Sequence, residues 1–297
     1  MAICSRSIAL TLILTAVMSV AAGAPRATAQ SPTPKPTASA SATKPAQIKA
    51  LILPGEAFLV SGRPAFVFLP PTEKRRAPQP WIMYGPTLPG LPDNAEKFMH
   101  EKFLAAGVAV AGIDQGESYG SPKGQALMTD LYNELTTKRG FGKQVCLLGR
   151  SRGGLQMTSW AISHPEHVAG IAGIYPVLDL RSYPGLQRAA SAYELTPKQL
   201  EEQLAQHNPI AKGDVIAKAK IPLFLIHGDV DKLVPLEPNS AALAEHYKNA
   251  GATDVATLVV PKGQGHNMWE GFFRSEELIA FAIRRAEAGA ASVEKGK

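Results

Sequence analysis

From about residue 50 onward, short apolar runs alternate with longer amphipathic stretches. Val67-Phe68-Leu69 closes one apolar strand, and Trp81-Ile82-Met83-Tyr84 reads as a second, followed by a Gly/Pro-rich loop from Gly85 to Pro92. The spacing of Phe98, Phe103 and Leu104 predicts a helix over Ala95–Ala106, with Gly107 at its end. Val108–Ile113 reads as a buried strand, and a turn-rich loop follows from Gln115 to Pro122. The pattern then predicts helix Gln125–Lys138, strand Val145–Leu148, helix Leu155–Ser163 and strand Val168–Ile174. Strand Leu223–Ile226, helix Ser240–Ala250, strand Thr257–Val260 and helix Glu276–Ala288 complete it. Strands separated by helices of this length imply parallel β-α-β units with right-handed crossovers. The stretch Leu178–Lys220 is too long for one crossover. It contains Tyr183-Pro184-Gly185 and a helical segment, Pro197–Gln206. It predicts either a small lid or a plain helical excursion on the surface.

The first fifty residues follow other rules. Arg6 precedes an apolar run, Ile8 to Val20, and small residues follow, with Ala22-Gly23-Ala24 and Ala27-Thr28-Ala29 as cleavage-like sites. That is the layout of a secretory signal peptide over residues 1–29. The run falls short of the ~20 apolar residues a membrane span needs. No stable span is therefore expected once the segment is cleaved, and an uncleaved anchor is the alternative. Residues 30–47 are rich in Pro, Ser, Thr, Ala and Lys without apolar periodicity, which predicts a disordered linker. The expected folded domain is 48–290, with a tail at 291–297.

Composition is that of an ordinary globular chain, 45% hydrophobic and 19% charged. The net charge of +6 is misleading. Arg6, Arg26, Lys35, Lys44 and Lys49 fall before residue 50 with no acid among them, leaving 26 basic against 25 acidic residues beyond. Such a balance, without basic runs interleaved with aromatics, argues against a nucleic-acid partner. Beyond the signal segment there is one cysteine, Cys146, in the apolar run Gln144-Val145-Cys146-Leu147-Leu148. It cannot form an internal disulfide and reads as a small core hydrophobe. Composition leaves the oligomeric state open.

The chemistry concentrates in three segments. Gly149-Arg150-Ser151-Arg152-Gly153-Gly154 follows a strand and opens a helix, the context that gives a Gly-x-Ser-x-Gly match meaning. The sharp turn needs small neighbours, presents the Ser151 hydroxyl at the sheet end, and aims the Arg152 N–H and the helix N-terminus at a developing oxyanion. A serine hydroxyl needs a base, and the base needs an orienting carboxylate. His227-Gly228-Asp229-Val230-Asp231-Lys232-Leu233-Val234-Pro235 supplies Asp231, with Asp229 as competitor. Gly263-Gln264-Gly265-His266 supplies His266 as general base. Of the other histidines, His227 braces the acid loop, His164 ends a helix, and His100, His167, His207 and His246 read as surface residues.

Gly-x-Ser-x-Gly-Gly, then His-Gly-x-x-Asp-x-x-Val-Pro, then Gly-x-Gly-His resembles the α/β-hydrolase superfamily, over nearly everything after residue 50. Dienelactone-hydrolase and prolyl-oligopeptidase-type catalytic domains, including exported bacterial esterases, are the most similar groups. The resemblance implies an α/β fold with a mostly parallel central sheet flanked by helices, and residues 178–220 as a small lid after the sixth strand. It implies a cofactor-free, metal-free, two-step mechanism. Ser151 attacks an acyl carbonyl, His266 shuttles the proton, Asp231 orients it, and water releases the acyl-enzyme.

The second oxyanion donor usually comes, in this superfamily, from the loop after the third strand, here Tyr84-Gly85-Pro86-Thr87-Leu88-Pro89-Gly90. The residue after Gly85 is Pro86, which has no N–H. Thr87 or Leu88 through an amide, or Tyr84 through its hydroxyl, is the substitute. Arg152 also matches the Gly-x-Ser-Arg of glucuronoyl esterases, whose arginine helps hold the oxyanion or substrate; otherwise it is a helix-start residue with a solvated or salt-bridged side chain. Glu117 and Tyr119, in an Asp-x-x-Gly-x-Gly-x-Ser-like loop starting at Asp114, either contact substrate or brace their loop. Trp269 either lines the pocket or packs the last helix, and Phe272 packs. The function expected is an exported carboxylic ester hydrolase acting on a small-molecule or carbohydrate ester. A prolyl-oligopeptidase-type peptidase and a non-catalytic binding protein are the alternatives.

Overall fold

In a computed structural model, residues 48–291 are described. The expected signal segment and linker, and residues 292–297 of the expected tail, lie outside them. Eight strands form one sheet: β1 (Gly55–Val60), β2 (Arg63–Phe68), β3 (Trp81–Gly85), β4 (Ala109–Ile113), β5 (Val145–Arg150), β6 (Val168–Ile174), β7 (Leu223–Ile226) and β8 (Ala256–Val259). Their order is β1-β2-β4-β3-β5-β6-β7-β8. β2 runs antiparallel to both its neighbours, and every pairing from β4 to β8 is parallel. The chain thus steps outward from β3 to β4 and then back across β3 to β5. Such a reversal opens a crevice at the carboxyl ends of the strands, where α/β sheets bind ligands.

The longer helices are α1 (Asn94–Ala105), α2 (Pro122–Asn133), α3 (Gly153–Ser163), α8 (Ala242–Asn249) and α10 (Glu276–Ala291). The 178–220 excursion carries short helices α4 (Leu186–Ala189), α5 (Pro197–Glu202), α6 (Leu204–His207) and α7 (Gly213–Lys218), and α9 (Glu270–Phe273) precedes α10. Among the described residues no helix is long and apolar enough to cross a membrane.

Strand parity sorts the core into two layers. Trp81, Met83, Val145 and Leu147 face one side, against Met128, Leu131, Trp160 and Leu243 of the helices there. Ile82, Tyr84, Cys146 and Leu148 face the other, against Met99 and Phe103 of α1 and Leu278, Ala282 and Ala286 of α10. Each fully buried large side chain contributes about 1.5–3 kcal/mol. Burial pushes the Cys146 thiol up to about 12, so it is un-ionised at neutral pH. The excursion has an apolar cluster of its own: Leu180, Ala190, Tyr193, Leu200 and Leu204 close on Leu155, Val177 and Val234.

The structure corrects the reading of His100 as a surface residue. It is wholly buried on α1, its ring centroid 5.7 Å from that of Phe68, 5.1 Å from Tyr84 and 6.0 Å from Phe103. The sequence also hid β1, which pairs with β2 through the Ser61-Gly62 turn, both residues at positive φ.

Candidate active site

β5 ends in the serine turn. Ser151 has φ 51°, in the left-handed region that non-glycine residues avoid. The turn is held on three sides: the Ser151 N–H donates to Ile174 O at 3.0 Å, and Ser151 O accepts from the N–H groups of Gly154 at 2.9 Å and Val177 at 2.8 Å. A Cβ on Gly153 would stand 2.0 Å from Gly85 O, so α3 can start against the end of β3 only with glycine there.

Asp231 and His266 meet this serine from the loops after β7 and β8. His266 Nδ1 lies 2.8 Å from Asp231 Oδ2, and His266 Nε2 lies 2.9 Å from Ser151 Oγ. The carboxylate can only accept, so Nδ1 carries the hydrogen and Nε2 accepts from the serine hydroxyl. Asp231 Oδ1 accepts from the N–H groups of Leu233 and Val234, at 3.0 and 2.9 Å. His227 Nε2 faces two acceptors, Val234 O at 2.8 Å and Asp231 Oδ2 at 3.4 Å, and therefore carries its hydrogen. The Ser240 hydroxyl then donates to His227 Nδ1 at 2.8 Å. Burial alone would raise the Asp231 carboxyl. The hydrogen bonds from His227, His266 and the Val234 N–H outweigh it and hold the carboxyl well below the usual carboxylate range. Asp229 takes a different part, accepting from the Gly263 N–H at 2.7 Å and so bracing the histidine loop.

Ser151 and His266 open onto a cleft of about 200 Å³. Pro86, Leu91, Tyr175, Tyr183, Leu233 and Met268 line it together with Arg150 and Arg152, which makes a mixed apolar and charged wall. Tyr183 comes from the 178–220 excursion. The Tyr175 ring packs beneath His266 with centroids 4.2 Å apart, and burial pushes its phenol up to about 12.

Sequence reasoning missed a buried charge network beside the nucleophile. Arg150 donates to Glu96 Oε1, which also accepts from the Tyr84 hydroxyl at 2.5 Å. Glu96 Oε2 accepts from the Asp93 N–H at 3.0 Å, closing a capping box on α1. Burial would raise the Glu96 carboxyl, yet the Arg150 guanidinium and the bonds from Tyr84 and Arg150 hold it below its ordinary value. The Tyr84 phenol moves well up, through burial and the Glu96 charge. Asp93-x-x-Glu96 before a helix was the available signal for the cap; nothing local announced its bond to Arg150.

These contacts correct the oxyanion candidates. Tyr84 is buried and its hydroxyl is spent on Glu96, so it is not a free donor. The Thr87 hydroxyl donates to Tyr84 O at 3.2 Å, within its own loop, which leaves Thr87 only its backbone N–H. Lys49 Nζ ties the same loop down, donating to Leu88 O at 2.6 Å. The Arg152 side chain forms an ion pair with Glu117, Nε to Oε2 3.2 Å, and also lines the cleft. Glu117 lines a separate cavity of about 370 Å³. Tyr119 accepts through its carbonyl from the Tyr193 hydroxyl at 2.8 Å and packs on the excursion's cluster, a bracing contact. Trp269 is 41% exposed and edge-on to buried Phe272, centroids 5.3 Å apart.

The arrangement is chemically a nucleophile, a base within hydrogen-bond reach of it, and an ionised carboxylate orienting the base. Among the described residues no cluster of His, Cys, Asp and Glu is arranged to hold a metal.

Comparisons agree with the architecture. The prolyl oligopeptidase family matches residues 128–283, more than half of the chain. No curated protein matches the sequence significantly. Among solved structures, a puromycin-hydrolysing peptidase of Mycobacterium tuberculosis superposes with TM-score 0.61 at 17% identity, over 78% of this chain and 40% of that one. Est1E of Butyrivibrio proteoclasticus gives 0.58 at 20% identity, over 78% of this chain and 99% of that one. A monoacylglycerol lipase of Paleococcus ferrophilus gives 0.53 at 16% identity, over 77% and 99%. The chain spans about two fifths of the puromycin hydrolases it resembles. With Ser151 at the sharp turn after β5 and the family matching from α2 to α10, this chain belongs to the prolyl oligopeptidase family, within the serine hydrolases of the α/β-hydrolase fold.

Proposed function

We propose that the protein hydrolyses carboxylic esters through an acyl-enzyme on Ser151. The observation that carries this reading is the hydrogen-bonded line from Ser151 through His266 to Asp231, opening on a cleft. Ser151 Oγ attacks the acyl carbonyl as its proton passes to His266 Nε2. The imidazolium, stabilised by Asp231, gives that proton to the departing alkoxide. Water then repeats the exchange, with His266 as base, and frees the acid. The Arg152 N–H and the N–H of Thr87 or Leu88 are the donors proposed for the oxyanion.

Ester rather than amide cleavage is supported by that loop. Pro86 brings no N–H, so the usual loop donor is replaced by one set a residue or two further on, and an ill-placed or lost oxyanion donor typically costs about 2.7–4 kcal/mol of barrier. Esters, with the more electrophilic carbonyl and the better leaving group, tolerate a leaner hole. An acylated carbohydrate would place its sugar in the cavity beside Glu117, and the Arg152–Glu117 pair links that cavity's edge to the Ser151 cleft, which gives this substrate less support. The peptidase reading draws on the family match and on the puromycin-hydrolysing relatives. Export rests on the sequence of residues 1–29.

The test is a substrate panel. The protein is expected to cleave nitrophenyl acetate and butyrate at least tenfold faster than proline-linked nitroanilides, and to take a fluorophosphonate label on Ser151. Ser151→Ala should abolish both activity and label. Ester cleavage surviving in that variant would sink the assignment, and a preference for nitroanilides would turn it toward the peptidase.

A further inference from the structure

Four of the large hydrophobic side chains exposed on the described residues crowd around the base and the acid. Val230 and Leu233 flank Asp231, at 50% and 53% exposure, and Met268 and Trp269 follow His266, at 51% and 41%. Only three other exposed side chains of this kind occur among the described residues, Ile48, Leu59 and Val215, and none of them adjoins Asp231 or His266 in sequence. Scattered apolar residues need no explanation, but a cluster beside a reactive group marks a contact surface.

The two loops that carry them are joined. The Val230 N–H donates to Gln264 O at 3.1 Å, the Gly263 N–H donates to Asp229 Oδ1 at 2.7 Å, and a Cβ on Gly228 would stand 2.1 Å from Gln264 O. Leu233 and Met268 both reach the cleft that holds Ser151 and His266. Met268 is exposed yet fixed, with its sulfur 3.5 Å from Arg150 Nη2 and 4.0 Å from the Tyr175 hydroxyl. The Trp269 ring is also packed, edge-on to buried Phe272 with centroids 5.3 Å apart.

We infer that this rim binds the alcohol portion of the ester, and that the preferred alcohol is apolar, an alkyl chain or an aryl ring. The inference rests on the ester reading above. Its geometric basis is the proton. His266 Nε2 must hand the serine's proton to the leaving oxygen, so that oxygen comes within hydrogen-bond reach of Nε2. The group attached to it therefore leaves along the His266 side, which Met268 and Leu233 line. As the Ser151 Oγ–acyl bond forms, the acyl–oxygen bond breaks and the alkoxide takes the His266 proton. The neutral alcohol then departs across Leu233 and Met268. Apart from the Trp269 indole N–H, the four side chains offer no polar group to satisfy a hydroxylated or charged alcohol.

The experiment uses the full chain and two series of esters. In one the acyl group is always acetyl and the alcohol runs from methanol through butanol to hexanol and benzyl alcohol. In the other the alcohol is always methanol and the acid lengthens. Wild type is expected to favour hexyl or benzyl over methyl acetate at least tenfold in kcat/KM. Leu233→Ser with Met268→Ser should cut that ratio at least tenfold, and Met268→Leu should hold it within threefold. Fluorophosphonate labelling of Ser151 reports that each variant is folded. A ratio unchanged in the labelled double variant overturns the inference alone. A response in the methyl-ester series, but not the acetate series, also overturns it by moving the rim to the acid. Wild type that cleaves no ester and takes no label overturns the ester reading and the inference together.

Discussion

His100 gives the chain a stability that depends on pH, and the structure sets its size. The imidazole is wholly buried among Phe68, Tyr84 and Phe103, and neither ring nitrogen has a hydrogen-bond partner. Burial lowers its pKa from 6.5 to about 3. The unfolded chain therefore binds a proton here that the folded chain refuses, throughout the interval between those values. Stability from His100 is complete above pH 6.5 and falls as pH drops toward 3. At pH 5 the unfolded residue lies about 1.5 units below its own pKa, and at about 1.36 kcal/mol per unit the loss is about 2 kcal/mol. For a domain of this size that lowers the melting midpoint by about 4–8 °C. The perturbation is His100→Leu, which keeps an apolar side chain in the pocket and removes the titration. Urea unfolding at pH 7.5 and 5.0, followed by tryptophan fluorescence, gives four free energies. All other titrating groups are common to both proteins, so the difference of differences isolates His100. The variant should lose about 2 kcal/mol less than wild type between the two pH values. Equal losses in the two proteins would refute the reasoning, because they would mean the buried imidazole accepts a proton without cost.

Three further predictions concern the site. Asp231→Asn keeps the shape of the orienting group but loses its charge, so kcat for a nitrophenyl ester should fall about 10³- to 10⁴-fold while fluorescence-monitored folding persists. Because the Asp231 carboxyl is held well below the usual range, its contribution to stability is present above the unfolded pKa near 3.9 and is lost only as pH falls through the folded value; the acid limb of activity in wild type should not track an ordinary carboxylate titration. Glu96→Ala leaves the buried Tyr84 hydroxyl without its acceptor and partly buried Arg150 with only Asp93 Oδ2, 3.8 Å away, which should cost about 1–3 kcal/mol in urea unfolding, whereas Glu96→Gln, retaining an acceptor and the cap, should cost clearly less.

Much of the fold was legible because its elements are locally specified. The runs around Trp81, Val108, Val145, Val168 and Leu223 are short, apolar and bounded by turns, and each became a strand. β1 was not legible for the complementary reason. Five of the six residues of Gly55–Val60 are exposed or half-buried, so no alternation of apolar and polar positions marks the strand. Its one signal was the Ser61-Gly62 turn before an apolar run. His100 failed differently: the sequence gives its place on a helix, and only packing against the sheet decides that this face of α1 is inside.

The site divides along the same line. Ser151, Asp231 and His266 each sit in a motif whose backbone requirements are met within a few residues, so the chain announces them in order. Tyr84 shows where that reasoning stops. It lies in the loop region that should supply an oxyanion donor, and its hydroxyl looked available. Strand parity argues otherwise. In β3, Ile82 and Tyr84 share the face that packs on α1, while Trp81 and Met83 share the other. A side chain on the α1 face meets what α1 presents, and α1 presents Glu96, the residue its own capping box requires. Once Glu96 is buried it needs a cation, and Arg150, one residue before the nucleophile, is that cation. The variable position before the serine in Gly-x-Ser-x-Gly thus carries a structural charge, and Glu96 of the α1 capping box also holds a side chain that lines the Ser151 cleft.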